Sequence, residues 1–180
     1  MATAALRTER LDLEPVSPAH ADEMVDLLAD RALYAFYADE ASPSLDELRT
    51  RYSRWAAGGS PDGRETWCTW ILRLRGSGTC VGFVQATVRL EDRTAELAWV
   101  VGTAYQGQGL AREAAAAVRD AVLAGTHATG ADPVAHVEAH IAPGNAASEA
   151  VARAAGLEPT QDHDADGERI WRLPASARPA

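Results

Sequence analysis

The chain has 180 residues, of which 26 are acidic and 17 are basic, and its formal net charge at pH 7 is −9. That charge argues against a protein that binds nucleic acid or an anionic membrane non-specifically, because both attract a basic surface. The sequence contains no lysine, so a Schiff-base lysine and a lysine-dependent phosphate loop are excluded.

The two cysteines, Cys68 and Cys80, do not stand at the spacing of a metal site. We therefore predict two buried free thiols, no bound metal and a reducing, cytoplasmic location. The sequence has no apolar stretch typical of a signal peptide or a membrane span, so no membrane partner is expected. The length fits one domain over residues 1–180, in which residues 174–180 are expected to form a mobile tail.

Hydrophobic periodicity and turn residues divide the chain into successive elements. A strand over residues 8–15 is followed by two helices, one from Ser17 to Asp30 and one that begins at Ser44. Tight turns then join an antiparallel meander of three strands, which are predicted at residues 66–75, 79–90 and 95–101. The remaining elements are a helix over 110–123, a strand over 134–142, a helix over 146–155 and a hairpin that turns at 164–167.

A glycine loop between a strand and a helix, at residues 102–109, is the most informative segment. The start of a helix binds phosphate well, because its first N–H groups lack partners and carry partial positive charge. Gly107 and Gly109 let the backbone approach an anion without an intervening Cβ. The dinucleotide-binding fingerprint does not fit, since Arg112 stands where glycine or alanine is needed and the preceding strands form a meander. An ordinary helix start is the alternative.

The residues Gln106-Gly107-Gln108-Gly109-Leu110-Ala111 resemble the Q/R-x-x-G-x-G/A signature of the GNAT superfamily of acetyl-CoA-dependent N-acetyltransferases. Downstream, Asn145-Ala146-Ala147-Ser148 and Ala155-Gly156-Leu157 resemble the N-x-x-S…G-F element of one branch, although Leu157 replaces the usual aromatic residue. That branch includes ribosomal-protein N-terminal acetyltransferases and related enzymes that acetylate small molecules and antibiotics. The resemblance covers residues 6–173.

The resemblance implies an α+β fold with helices on both faces of a mixed, mainly antiparallel central sheet. The sheet is expected to splay between its fourth and fifth strands, residues 95–101 and 134–142, with a bulge in the fourth. Acetyl-CoA would lie in the resulting V, without a metal. The residues that the resemblance assigns to the cofactor are Val100, Val101, Asn145 and Ser148 along the pantetheine arm, and Gln106, Gly107, Gln108, Gly109, Leu110 and Ala111 around the pyrophosphate.

Acetyl transfer to an amine needs a base for the amine and an acid for the leaving thiolate. Strand alternation puts His136, Glu138 and His140 on one face of the fifth strand. The candidate bases are Glu96, Glu138 and His140, and the alternative role of each is a structural pairing with one another or with an arginine. Ser148 is the candidate acid, with a helix cap as the alternative. An N–H at the implied bulge is expected to stabilise the oxyanion.

The resemblance implies that the first two helices and the last hairpin frame the acceptor. Acidic and aromatic residues cluster in residues 22–47, and the hairpin adds the acidic residues Asp162, Asp164, Asp166 and Glu168. The predicted substrate-binding residues are Tyr34, Tyr37, Asp39, Glu40 and Glu96. Such a rim favours a small cationic amine, with an aminoglycoside-like antibiotic first and hence a role in resistance, although a solvated helix face is the alternative. Two other functions stay open: acetylation of a protein N-terminus, and non-catalytic binding of an acyl-CoA. A homodimer is also an expected state, since dimers are common in the family.

Overall fold

The computed structural model describes residues 2–36 and 42–175. Its strands are β1 Leu6–Arg7, β2 Leu11–Pro15, β3 Glu65–Leu74, β4 Cys80–Arg89, β5 Thr94–Val101, β6 His136–Ile141, β7 Glu158–His163 and β8 Arg169–Arg172. Its α-helices are α1 Ala21–Leu28, α2 Leu45–Ala56, α3 Leu110–Ala124 and α4 Ala146–Ala154. Short 3-10 turns precede α1 and follow both α1 and β5.

The strands form one sheet in the order β1-β2-β3-β4-β5-β6-β8-β7, and every neighbouring pair is antiparallel except β5 with β6. This mixed, mainly antiparallel sheet confirms the predicted fold class. The predicted first strand, residues 8–15, begins only at Leu11 as β2, because residues 8–10 form a tight turn in which the Thr8 N–H donates to the Leu11 carbonyl at 2.9 Å. The short strand β1 before this turn was not predicted.

Neighbouring residues of β3 show how the sheet is covered on both faces. Trp70 and Leu72 pack into the apolar cluster that contains α3 and α4, whereas Ile71 between them packs into the cluster that contains α1 and α2. Alternation along a strand sends successive side chains to opposite faces, so the two helix pairs lie on opposite sides. Cys68 and Cys80 are buried free thiols, as predicted.

The splay of the sheet occurs where β5 meets β6. Their parallel pairing consists of three residue pairs, and Glu96 with Glu138 is the last of them. The implied bulge is not found in the ladder between β4 and β5, whose register runs without a shift from Gly82↔Val101 to Arg89↔Thr94. At the Gly82 end of this ladder, β4 and β5 pack closely, because a Cβ on Gly82 would collide with the Val100 carbonyl oxygen.

Across the described ranges, no helix is both long enough and apolar enough to cross a bilayer. In the same ranges, no three side chains of the metal-binding types lie close enough together to hold an ion.

Candidate active site

A cleft of about 370 Å³ opens beside the second half of β5. The end of β5, the loop after it and the first turns of α3 and α4 form its walls. The cleft brings together nine of the ten residues assigned to the cofactor, namely Val100, Val101, Gln106, Gly107, Gly109, Leu110, Ala111, Asn145 and Ser148. Gln108 is not among the lining residues, and its backbone carbonyl accepts a hydrogen bond from Arg10 Nη1 at 2.8 Å.

The glycine loop forms one end of the cleft. Gly107 and Gly109 have φ angles of +73° and +79°, a left-handed conformation that other residues adopt with strain. Gly109 is the residue before α3, so the unpartnered N–H groups of the first helical turn face the cleft. The Gln106 side chain ties the loop to β5, because its Nε2 donates to the Val101 carbonyl at 2.9 Å. This end therefore fits the diphosphate of CoA.

The edge of β5 forms the other end. Beyond Glu96, no described strand pairs with β5 on the side of β6, and Trp99, Val100 and Val101 present this open edge to the cleft. Backbone N–H and C=O groups require partners, and an extended chain that carries amides supplies them. The pantetheine arm of CoA is such a chain, and the open edge of β5 therefore fits this arm of the cofactor.

The start of α4 lies across from that edge. The Asn145 Oδ1 atom caps the helix by accepting the Ser148 N–H at 3.1 Å, which leaves the Asn145 amide N–H groups for a ligand. The Ser148 hydroxyl makes no hydrogen bond to any residue in the described ranges. Ser148 lines both the cleft and an adjoining cavity of about 40 Å³, so this side chain joins the two spaces.

The adjoining cavity contains the Glu168 carboxylate, which follows the turn between β7 and β8. The sequence placed Glu168 in the acidic rim of the acceptor site but not among the candidate bases. Burial raises the pKa of Glu168, and the nearby Asp164, Asp166 and Glu96 carboxylates raise the pKa further, against an opposing effect of His140. A glutamate with a raised pKa is suited to accept a proton near neutral pH. Its position depends on how the hairpin pairs with β6, which no local pattern reveals.

Glu138 lies at the closed end of the splay, which is the last residue pair before β5 and β6 separate. Only 3% of its side chain is exposed. Arg89 Nη2 donates to its Oε1 at 2.9 Å, and Arg172 Nε donates to its Oε2 at 3.0 Å. Burial by itself would raise the pKa of Glu138, but the hydrogen bonds and charges of the two arginines outweigh burial and hold this pKa below its ordinary value. The carboxylate is consequently a weak base, and it joins β4, β6 and β8.

The other two candidate bases differ in access. The His140 Nδ1 lies 2.9 Å from Asp164 Oδ2, and its buried Nε2 lies 3.4 Å from Glu138 Oε1, so both ring nitrogens face protein groups. Glu96 lies beside Glu138 in the sheet, is about one-third exposed, and has an oxygen 4.0 Å from Arg89 Nη1. Glu96 is therefore the most exposed of the three candidate bases.

The enclosed Glu138 leads to a prediction about stability. Glu138→Gln is expected to lower the free energy of unfolding by about 3 kcal/mol, because removing one partner of a buried ion pair leaves the others uncompensated. The wild-type contribution is fully present above the pKa of an unfolded glutamate and is lost as the pH falls through the lowered folded pKa. Urea denaturation at a series of pH values measures both effects.

The matched control is Glu149→Gln, which removes a carboxylate from an i,i+4 pair with Arg153 on the surface of α4. Its expected cost is about 0.5 kcal/mol or less. Equal losses in the two variants would show that the Glu138 network does not stabilise the fold.

The predicted acceptor residues are only partly described. Tyr34 is half-buried, its hydroxyl donates to the Leu28 carbonyl at 2.8 Å, and it lines neither the cleft nor the adjoining cavity. Tyr37, Asp39 and Glu40 lie outside the described residues. Phe36 lines the cleft with 45% of its surface exposed, and it was not among the predicted substrate residues.

Several acidic side chains of residues 22–47 have local structural roles. Asp22 accepts from Arg49 at 2.7 Å, and Glu23 forms an ion pair with Arg73 at 2.9 Å. Glu47 completes the capping box of α2 with Ser44. These carboxylates hold α1 and α2 in place, and the acidic residues nearest the second cavity belong instead to β5 and the last hairpin.

Comparisons with known proteins agree with this arrangement. A family model described as an acetyltransferase (GNAT) domain matches residues 10–158. An acetyltransferase from Agrobacterium tumefaciens has a similar structure, with a TM-score of 0.71 and 22% identity over 97% of this chain and 96% of that one. The search of curated proteins gives no match.

Two further solved structures share the fold. The microcin C7 self-immunity acetyltransferase MccE, solved with acetyl-CoA and AMP, has a TM-score of 0.73 and 11% identity over 92% of each chain. RimL, a ribosomal L7/L12 alpha-N-protein acetyltransferase solved with coenzyme A, has a TM-score of 0.70 and 14% identity over 94% of this chain and 95% of that one. Because the family match spans most of the sequence, this chain belongs to the GNAT acetyltransferases and is an N-acetyltransferase that uses acetyl-CoA.

Proposed function

We propose that this enzyme transfers the acetyl group to a primary amine of a small cationic acceptor, and that this amine group enters the cavity that holds Glu168. The observation that carries the proposal is the position of Ser148, which lines both that cavity and the cofactor cleft. Acetyl-CoA, when bound, supplies a thioester that an uncharged amine can attack. The protein has to hold the amine, remove its proton and provide a proton for the sulfur.

Glu168 is the base in this proposal, since its raised pKa suits proton transfer near neutral pH and the buried carboxylate of Glu138 is already paired. Glu96, at the last pair of β5 with β6, is the second candidate for that role. The Ser148 hydroxyl is free to donate a proton toward sulfur. Backbone N–H groups of the open β5 edge take the oxyanion role that the resemblance assigned to a bulge.

The acceptor class follows from charge. Glu168 and the nearby Asp166 and Glu96 bring negative charge to the second cavity, and a net charge of −9 attracts cations to the whole molecule. A small cationic amine such as an aminoglycoside-like antibiotic is attracted by that negative charge. A protein N-terminus is the second candidate, favoured by the N-x-x-S sequence at the start of α4 and by the fold shared with RimL.

A thiol-release assay with acetyl-CoA distinguishes a small cationic acceptor from a protein N-terminus. The panel contains aminoglycosides, polyamines, amino acids and short peptides, with N-acetylated peptides as the blocked control. Turnover confined to aminoglycosides or polyamines supports the small cationic acceptor, and a falling rate with rising salt is expected for it. Turnover confined to peptides with free N-termini would overturn that acceptor in favour of the protein one.

A further inference from the structure

The turn between β1 and β2 reaches the glycine loop from a distant part of the sequence. Arg10 in this turn has three contacts there. Its Nη1 donates to the Gln108 carbonyl at 2.8 Å, and its Nε and backbone N–H donate to the Glu113 carboxylate at 2.6 and 2.8 Å. Glu113 lies in the first turn of α3. Arg10 therefore fixes the loop and the helix to each other.

The turn itself is held rigidly. The Thr8 hydroxyl donates to Glu113 Oε1 and accepts the Leu11 N–H at 3.0 Å. Arg75 Nη1 donates to the carbonyls of Thr8 and Glu9 at 3.1 and 2.8 Å, and the Arg75 N–H donates to the Arg10 carbonyl at 3.0 Å. These bonds present the Arg10 side chain in one position.

Arg10 is not among the residues that line the cleft, but its guanidinium lies against Gly109, the residue before α3. A Cβ built on Gly109 would be 3.6 Å from Arg10 Nη2, and that nitrogen has no acceptor in the described part of the chain. Arg112, on the first turn of α3, lines the same cleft. In a chain with a net charge of −9, these arginines supply the local positive charge that a phosphate-bearing cofactor requires.

We propose that Arg10 is a positioning residue for the cofactor diphosphate: it holds the Gly107–Gly109 loop in its binding conformation and directs one N–H toward the phosphate oxygens. The proposal rests on the cofactor cleft described above. It assigns the N-terminal turn to cofactor binding, a role that the glycine-loop signature does not include. Glu113 acts through Arg10 by fixing the direction of the guanidinium.

Two measurements on Arg10→Gln test the proposal without turnover. Calorimetric titration with CoA is expected to show about tenfold weaker binding, the loss that corresponds to one charge-assisted hydrogen bond. The dependence of the CoA affinity on salt concentration should become shallower, because one cation at the phosphates is lost. Amide hydrogen exchange of residues 107–111 in the free protein should become faster, since the loop loses its brace.

Three further variants separate the possible causes. Arg64→Gln removes a charge from an exposed ion pair with Asp62 and should leave the CoA affinity unchanged. Arg10→Lys keeps the charge without the fork geometry and should recover part of the affinity and of the salt dependence. Glu113→Gln should weaken CoA binding although Arg10 is intact, which keeps the test usable if Arg10→Gln unfolds.

The outcomes are distinct. CoA affinity and loop exchange that both match the wild type in Arg10→Gln would overturn the proposal. A lower melting temperature with unchanged affinity of the folded fraction would also overturn it, by assigning Arg10 a structural role alone. If the wild-type protein binds no CoA, the assignment of the cleft fails before Arg10 is considered.

Discussion

Gly109→Val is expected to lower the affinity for CoA by about a hundredfold, the loss of one or two charge-assisted hydrogen bonds to phosphate. Gly109 has a φ of +79°, and a β-branched residue adopts that conformation only with strain. Relief of the strain would rotate the N–H groups at the start of α3 away from the cleft. Calorimetric titration with CoA measures the change.

Gly130→Val is the matched control for that experiment. Gly130 has a φ of +72°, and a Cβ at either glycine has no close backbone neighbour. Gly130 follows the far end of α3, whose 15 residues span about 22 Å, so its backbone strain cannot act on the cleft directly. Both variants should lose similar stability, and only Gly109→Val should lose CoA. A CoA affinity of Gly109→Val equal to that of the wild type would refute the role of the loop.

Glu168→Gln is expected to lower kcat by about a hundredfold or more, the range for loss of a general base, with little change in CoA affinity. The base must be ionised to accept the amine proton, so the wild-type rate falls as the pH drops through its pKa. Since the pKa of Glu168 is raised, that acid limb should lie above the ordinary range for a glutamate. The variant should lose this limb, which a pH profile of kcat/KM on an active acceptor would record.

Two substitutions provide the comparison. Asp166→Asn removes a carboxylate from the same hairpin turn and is expected to retain most of the rate. Glu96→Gln tests the second candidate base, since Glu96 is the most exposed of the three candidate bases that the sequence offered. A normal acid limb in Glu168→Gln together with a lost limb in Glu96→Gln would transfer the role to Glu96.

The fold was predictable where its determinants are local. Ser44 and Glu47 stand at the spacing of a capping box, and α2 begins there. The glycines before Leu110 signal the start of α3 for the same reason, because a left-handed residue and a helix start are neighbours in sequence. The turn at residues 8–10 and the short strand β1 were missed, since Thr8, Glu9 and Arg10 include no glycine, proline or asparagine that would signal a turn.

The residues of the candidate site were likewise predictable where they are close in sequence, and not where contacts join distant parts of the chain. The residues of the glycine loop are contiguous, so a short pattern is enough to bring them to the cleft. Arg10 and Gln108 are 98 positions apart, and only the folded chain puts them in contact. Glu138 had two interpretations in the sequence, and arginines from β4 and β8 decide between them by enclosing it. Glu168 reaches the second cavity through hairpin pairing, which no residue spacing encodes.

The closed end of the splay has a thermodynamic consequence for the cofactor. Three parallel pairs and the Glu138 network fix the angle at which β5 and β6 separate, before any ligand is present. A cleft of fixed angle requires little ordering of the backbone when a ligand enters, so more of the contact energy is available as affinity. The paired part of β5 and β6, which does not line the cleft, thus contributes to how tightly the cleft can hold its ligand.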